Sequence, residues 1–181
     1  MNTARFALSF VLFGLAVYAC LPEVRAFAGR NDAVAAAKPA PEFSGLDHWQ
    51  NSAPLSIENL RGKVVLVEFW TFECINCRHV IPHTQELFER YRNDGLVVVG
   101  VHTPEYDEER VPANVAAAVQ RLGITYPVAQ DNGYATWNAY GNQYWPALYL
   151  IDQQGRIVYH TIGEGNYAYT ESRVRELLGK Q

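Results

Sequence analysis

Residues 64–70 read VVLVEFW, an almost unbroken apolar run rich in β-branched and aromatic side chains. A strand covered on both faces is the element that such a run forms. From Asn76 to Arg92 the period changes. Val80, Ile81, Leu87, Phe88 and Tyr91 recur at helical spacing, and Asn93-Asp94-Gly95 ends the pattern. Leu96 to Val101 is a second strand of the buried kind. Strand, helix, strand in this order is a βαβ unit, which makes the two strands parallel and their crossover right-handed. The consequence is an α/β domain with a central sheet flanked by helices.

The other segments extend that unit. After an acidic loop carrying Glu105, Asp107, Glu108 and Glu109, Ala113 to Leu122 reads as a helix closed by Gly123. Tyr126 to Ala129 is a short strand and Tyr134 to Tyr140 a short helix. Ala147 to Ile151 and Ile157 to Thr161 are strands joined by Asp152-Gln153-Gln154-Gly155, a tight hairpin. Thr170 is placed to cap a last helix, Glu171 to Leu178. On the N-terminal side, Phe43 to Leu60 carries Gly45, Asn51 and Pro54 between short apolar groups and reads as a small hairpin. The sequence shows neither an internal repeat nor a second domain.

Residues 1–28 read as an address rather than as fold. Arg5 gives a positive start, Phe6 to Ala19 is an uncharged apolar run, and Ala26-Phe27-Ala28 is a small-x-small cleavage pattern. This is a secretory signal peptide, with an apolar core shorter than the roughly 20 residues of a spanning helix. A retained membrane anchor and lipidation at Cys20 are the alternatives. Residues 29–42, rich in Ala with Lys38, Pro39 and Pro41, read as a flexible tether, and residues 43–181 as the folded domain. An exported, periplasmic protein is expected. A net charge of −4 gives no electrostatic reason to expect nucleic acid or an anionic membrane surface as partner. A hydrophobic content of 49% supports a real core.

Loss of the leader removes Cys20 and leaves Cys74 and Cys77, three positions apart, in a chain sent to an oxidising compartment. A bridge closing so short a loop restricts the unfolded chain by only about 2 kcal/mol, so the pair is poorly placed as a staple. Cys74-Ile75-Asn76-Cys77 follows a buried strand and opens a helix, and that context gives the pattern a redox meaning. The first helical turn presents unpaired N–H groups and the positive end of the helix dipole, and both stabilise a thiolate at Cys74. Cysteines so placed fall from a pKa of about 8.5 to about 3.5–7.5. Cys74 is the expected exposed nucleophile, and Cys77, one turn on, the buried resolving thiol. His79 and His83 stand i,i+4 on the same helix. Zinc takes about four ligands and no further cysteine is at hand, so no metal is expected.

Trp70-Thr-Phe-Glu-Cys-Ile-Asn-Cys77 followed by Pro82 resembles the thioredoxin superfamily. Within it, the TlpA-like, or redoxin, branch and the thioredoxin-like domain of DipZ-type cytochrome c biogenesis proteins are the most similar. Gly100-Val-His-Thr-Pro-Glu105, Gly123-Ile-Thr-Tyr-Pro-Val128, Asp131-Asn132, Tyr134-Ala-Thr-Trp137 and Gly141-Asn-Gln-Tyr-Trp-Pro-Ala147 resemble the same domain, in order, over residues 43–178. The resemblance implies a thioredoxin fold, with a central mixed β-sheet flanked by helices and an N-terminal hairpin extension. It implies a thiol–disulfide oxidoreductase that reduces disulfides in an oxidising periplasm. Its substrates would be protein or small-molecule disulfides and dithiols, with no cofactor. DipZ-type proteins carry a transmembrane electron-transfer region, so a membrane electron donor is a further implied partner.

Residue by residue, Trp145-Pro146 resembles the site of a cis-proline that faces the cysteines and offers the preceding main chain to an extended substrate. A trans proline at a strand start is the alternative. Glu68 stands at the position of the family's buried acid, where it would act as general base on Cys77; a solvent-facing glutamate is the alternative. Glu73 stands where relatives have an uncharged side chain. Beside Cys74 its carboxylate opposes thiolate formation; turned to water it is screened. His102 follows the second parallel strand, on the same sheet edge as the cysteines. It reads either as a loop residue shaping substrate access or as a structural histidine. Pro82 shapes the active-site helix. Trp70 and Trp145 are core candidates that also reach the rim of the site.

Two other functions fit fewer of these features. A peroxide-reducing redoxin needs a Thr or Arg arrangement around one peroxidatic cysteine. A metal chaperone or redox-gated binding module needs soft ligands beyond the pair, and Met1, the one methionine, leaves with the leader.

Overall fold

Every residue of Val64–Trp70 is buried, as a strand at the centre of a sheet requires. The computed structural model describes residues 37–180. Its strands are β1 (Lys38–Pro39), β2 (Asp47–Gln50), β3 (Val64–Trp70), β4 (Leu96–His102), β5 (Val128–Gln130), β6 (Ala147–Ile151) and β7 (Arg156–Ile162). Its α-helices are α1 (Ile75–Tyr91), α2 (Pro112–Arg121), α3 (Ala135–Ala139) and α4 (Tyr167–Leu177). The strands form one mixed sheet in the order β1-β7-β6-β3-β4-β5-β2. β3 runs parallel to β4, with Glu68 opposite Gly100 and Trp70 opposite His102, and antiparallel to β6, with Phe69 opposite Ala147. This is the thioredoxin fold, and the βαβ unit lies at its centre.

The pleat of β3 separates two cores. Val64, Leu66 and Trp70 pack with Cys77, Val80, Ile81 and Leu87 of α1, Val115 and Val119 of α2, and Val174 of α4. Val65, Val67 and Phe69 face the other way, toward Ile57, Leu60, Trp137 and Tyr140. Each fully buried aliphatic or aromatic side chain contributes about 1.5–3 kcal/mol relative to exposure. α1 is amphipathic for the same reason: Cys77, Val80, Ile81, Thr84, Leu87 and Tyr91 form its buried stripe. Pro82 lies inside α1 on its exposed side, where its missing N–H removes one hydrogen bond from the helical ladder.

Three expectations need correction. No hairpin forms within Phe43–Leu60. Asp47–Gln50 alone is strand there, and it pairs antiparallel with β5, with an irregular register between Asp47 and Gln50. The reason is cover. α3 has only five residues, and Phe43, Leu46, Trp49 and Leu55 supply the apolar surface that the second sheet face still needs. Glu42 fixes the segment by accepting the N–H groups of Ile57 at 2.7 Å and Glu58 at 3.0 Å. The end of the expected tether is also structured, because Lys38 and Pro39 pair with Ile157 and Arg156 of β7. Finally, α4 begins before Thr170. Asn166 takes the left-handed conformation at φ 56°, donates its side-chain amide to Thr161 Oγ1 at 3.0 Å and starts the helix. Thr170 is buried inside it, its hydroxyl 3.2 Å from that of Tyr159. The leader, Cys20 and residues 29–36 of the tether lie outside the described residues.

Candidate active site

Cys74 leaves the C-terminal end of β3 and caps α1, with extended backbone at φ −66° and ψ 112°. Its Sγ accepts the main-chain N–H of Cys77 at 3.2 Å. Cys74 is half-buried, Cys77 fully buried, and both are free thiols. The Cys74 thiol is lowered to about 7. The hydrogen bond from the Cys77 side chain is the largest cause; burial opposes it; the N–H groups of Cys77 and Asn76 reinforce it; and the charge of Glu105 opposes it. The Cys77 thiol is pushed far up, by burial first, then by its hydrogen bond to Cys74, with the charge of Glu68 adding to the effect. The two sulfurs thus differ sharply in acidity.

Glu68 points to the α1 side of β3 and is wholly buried. One carboxylate oxygen accepts the hydroxyl of Tyr126 at 2.7 Å and the other that of Thr84 at 3.4 Å. Burial raises its carboxyl to about 7, and the two hydroxyls pull it back down. Tyr126 is itself fully buried, which holds its phenol well above the ordinary value and keeps it a donor. The space that Tyr126 occupies depends on Gly100, opposite Glu68 on β4: a Cβ there would stand 3.1 Å from Tyr126 Cε2 and 3.0 Å from Trp70 Nε1. Sequence reasoning missed both hydroxyls. Thr84 had a signal, as the one aliphatic hydroxyl on the buried stripe of α1. Tyr126 had none.

The Trp145–Pro146 peptide is cis. Trp145 is held by its indole N–H, which donates to the carbonyl of Thr103 at 3.0 Å, and by packing on Trp137 at 4.3 Å between ring centres. Trp145 and Cys74 line one groove, together with Glu73, Ile75, Asn76, Glu105, Tyr106, Gln143 and Tyr144.

His102 and Trp70 lie elsewhere than a substrate-facing role requires. β4 runs on to His102, and pairing with Trp70 seals the ring inside. His102 is wholly buried, 4.9 Å from the ring of Trp70 and 5.6 Å from that of Phe72, with Nε2 3.3 Å from Thr71 Oγ1. Burial lowers its pKa to about 4, so it is neutral at pH 7. It is a structural histidine, and substrate does not reach it. Trp70 is equally buried and does not reach the rim.

Glu73 is exposed on the groove wall, while the carboxylate whose charge opposes the Cys74 thiolate is that of Glu105. The buried member of the acidic loop is Glu109, which sequence reasoning did not single out. It accepts the main-chain N–H groups of Glu73 at 2.9 Å, Glu105 at 2.6 Å and Tyr106 at 3.0 Å. Burial pushes its carboxyl up, but Thr71 and those N–H groups outweigh burial and leave it below the usual range. His79 faces Glu164 at 3.1 Å and His83 stacks on Tyr167 at 3.7 Å. Among the described residues no group of three or more His, Cys, Asp or Glu is arranged to hold a metal ion.

The model of the AhpC/TSA family matches residues 36–160. DipZ of Mycobacterium tuberculosis is 51% identical over 142 residues, which are 77% of this chain and 20% of DipZ. The chain therefore spans about a fifth of the length of that relative. The thiol-disulfide oxidoreductase YkuV of Bacillus subtilis is 29% identical over 143 residues, covering 79% of this chain and 96% of YkuV. Among solved structures, the thioredoxin-like superfamily protein SPOA0173 matches with a TM-score of 0.72 and 29% identity over 79% of this chain and 97% of its own. The family match covers well over half of the chain, and the fold agrees with it: the chain belongs to the AhpC/TSA family, within the thioredoxin-like superfamily.

Proposed function

We propose that this chain is an exported thiol–disulfide oxidoreductase that reduces protein disulfides through Cys74 and Cys77. The observation that carries this reading is the placement of the pair: a half-buried Cys74 caps α1 with its Sγ accepting the Cys77 N–H at 3.2 Å, and Cys77 lies fully buried one turn further in. The Cys74 thiolate attacks one sulfur of a substrate disulfide. A mixed disulfide forms, and the other half of the substrate leaves as a thiolate. Cys77 then loses its proton to the Glu68 carboxylate and attacks Cys74 Sγ. The Cys74–Cys77 disulfide forms, and reduced substrate departs. Every electron moves through sulfur. The Trp145 main chain, beside Cys74 in the groove, offers pairing to an extended substrate.

The test is direct. Reduced protein is mixed with a disulfide-bonded protein substrate. Wild type should release substrate thiols, Cys77→Ser should hold the mixed disulfide, and Cys74→Ser should do neither. Capture by Cys74→Ser instead would reverse the roles of the two sulfurs. The reducing direction is tested by equilibration with glutathione. A potential near that of thioredoxin, about −270 mV, supports it, and one near that of strong oxidases, about −120 mV, overturns it.

A peroxide-reducing reading needs Thr or Arg against Cys74, and the lining of the groove holds neither. Export rests on the leader, and a mature N-terminus at Gly29 in the intact mass would support it. An intact mass that retains residues 1–28 would make the chain membrane-tethered instead. A membrane electron donor remains the partner that the relation to DipZ suggests.

A further inference from the structure

The groove at Cys74 is acidic. Its lining carries Glu73 and Glu105 and no Lys, Arg or His. Nearby cations are engaged or stand outside it: Arg110 faces Asp107, His79 faces Glu164, and Arg78 is exposed beyond Cys77, off the lining. The acidic residues do not sit there by accident of a floppy loop. The buried carboxylate of Glu109 accepts the main-chain N–H groups of both Glu73 and Glu105, and so ties the segment before Cys74 to the segment after β4. Between the carboxylates the groove presents large apolar side chains to solvent: Ile75, Tyr106 and Tyr144 are 53%, 50% and 55% exposed.

The pair of carboxylates is in one respect unfavourable for the exchange chemistry, because Glu105 opposes ionisation of the nucleophile, although the hydrogen bonds at Cys74 outweigh it. It becomes favourable when the partner brings the compensating charge. We propose that the groove selects disulfides carried on cationic, extended polypeptide with an apolar side chain beside the cysteine, and disfavours anionic disulfides. This inference rests on the dithiol reading above and names its substrate class. A Lys or Arg of the partner facing Glu105 offsets the charge that opposes ionisation of the Cys74 thiol. Docking of the favoured partner therefore increases the thiolate fraction at the moment of attack. An anionic partner meets like charge from Glu73 and Glu105 and leaves the thiol protonated for longer.

Three small disulfides of similar size test it: cystamine (cationic), bis(2-hydroxyethyl) disulfide (neutral) and 3,3′-dithiodipropionate (anionic). The second-order rate of Cys74 oxidation in the otherwise wild-type, reduced protein is measured with each and divided by the rate of the same reagent with free 2-mercaptoethanol. The normalised cationic-to-anionic ratio should be tenfold or more at low ionic strength. It should collapse toward unity in about 1 M salt, where the screening length is about 3 Å. In the Glu73→Gln/Glu105→Gln double variant it should fall to within about threefold, with the neutral reagent reporting any change in the thiol itself. A normalised wild-type ratio below threefold, or a tenfold ratio that survives the double substitution, overturns the inference. A neutral disulfide that reacts no faster than with free thiol would instead sink the dithiol reading, and this inference with it. The extended-chain component is tested with two disulfide-linked peptides that differ only in flanking Lys or Glu. The Lys peptide should react at least as selectively as cystamine, and equal rates for the two would overturn this component.

Discussion

The Tyr126 hydroxyl donates to the Glu68 carboxylate at 2.7 Å, joining two residues 58 positions apart inside the sheet core. Tyr126→Phe removes that donor with almost no change in shape. A hydrogen bond to a charged group contributes about 1.5–3 kcal/mol, and one pH unit corresponds to about 1.4 kcal/mol. The midpoint of Glu68, about 7 in the intact protein, should therefore rise by about one pH unit or more in the variant. The pH profile of mixed-disulfide resolution in single turnover checks it. A midpoint that stays at 7 would mean that Tyr126 does not govern this acid.

The Cys74 thiol should be alkylated by iodoacetamide with a midpoint near 7, because the hydrogen bond from the Cys77 side chain lowers it. Cys77→Ala removes that donor and keeps the main-chain N–H. The midpoint should then move up toward the ordinary thiol value of about 8.5. An unmoved midpoint would assign the effect to the helix terminus alone.

The pH dependence of stability follows from the same buried groups. The carboxyl of Glu68 stands at about 7 folded against 4.5 ordinarily. Between those values the folded chain holds a proton that the unfolded chain has lost, so the contribution is full below 4.5 and is lost as pH rises through 7. The span corresponds to at most about 3 kcal/mol. His102 acts with the opposite sign. It stands at about 4 folded against 6.5 ordinarily, so its contribution is present above 6.5 and lost as pH falls through 4. Glu68→Gln removes the first slope and leaves the second. Urea denaturation of both proteins from pH 4 to 8 should show wild type losing about 3 kcal/mol relative to the variant as pH rises. A constant difference across that range would contradict the raised carboxyl.

Gly100→Ala should be costly although it adds one methyl group. The new Cβ would meet Trp70 Nε1 at 3.0 Å, Tyr126 Cε2 at 3.1 Å and Val128 Cγ2 at 3.2 Å. Overpacking of this kind costs about 1–3 kcal/mol. Displacement of Tyr126 should also raise the midpoint of Glu68, as Tyr126→Phe does. Thermal unfolding and the resolution profile measure the two effects separately.

Much of this was legible from local pattern. VVLVEFW and the helical stripe after it are short-range signals, and they gave β3, α1 and the placement of Cys74 and Cys77 without long-range information. Glu68 was singled out by the family resemblance, which places a buried acid at that position, with an apolar run on either side of it. The residues that were not legible are those brought in by register. Tyr126 reaches Glu68 only because β5 lies beside β4, and Glu109 reaches Glu73 only because the acidic loop folds back on the segment before Cys74. His102 sits at the correct edge of the sheet, yet whether its ring turned outward or inward depended on β4 extending one residue further than the apolar run. The N-terminal segment misled because its Gly, Asn and Pro fit a hairpin. Its apolar residues were committed to covering a face that α3 is too short to cover.

The sheet also has consequences at its margins. Its two outermost strands are β1, of two residues, and β2, of four with a broken register. A long, flat outer strand is a template on which foreign chains polymerise, whereas short and bulged ones are poor templates. In this molecule the margins offer a visiting chain only stubs of two and four residues, so the sheet edges are poor sites for adventitious strand addition.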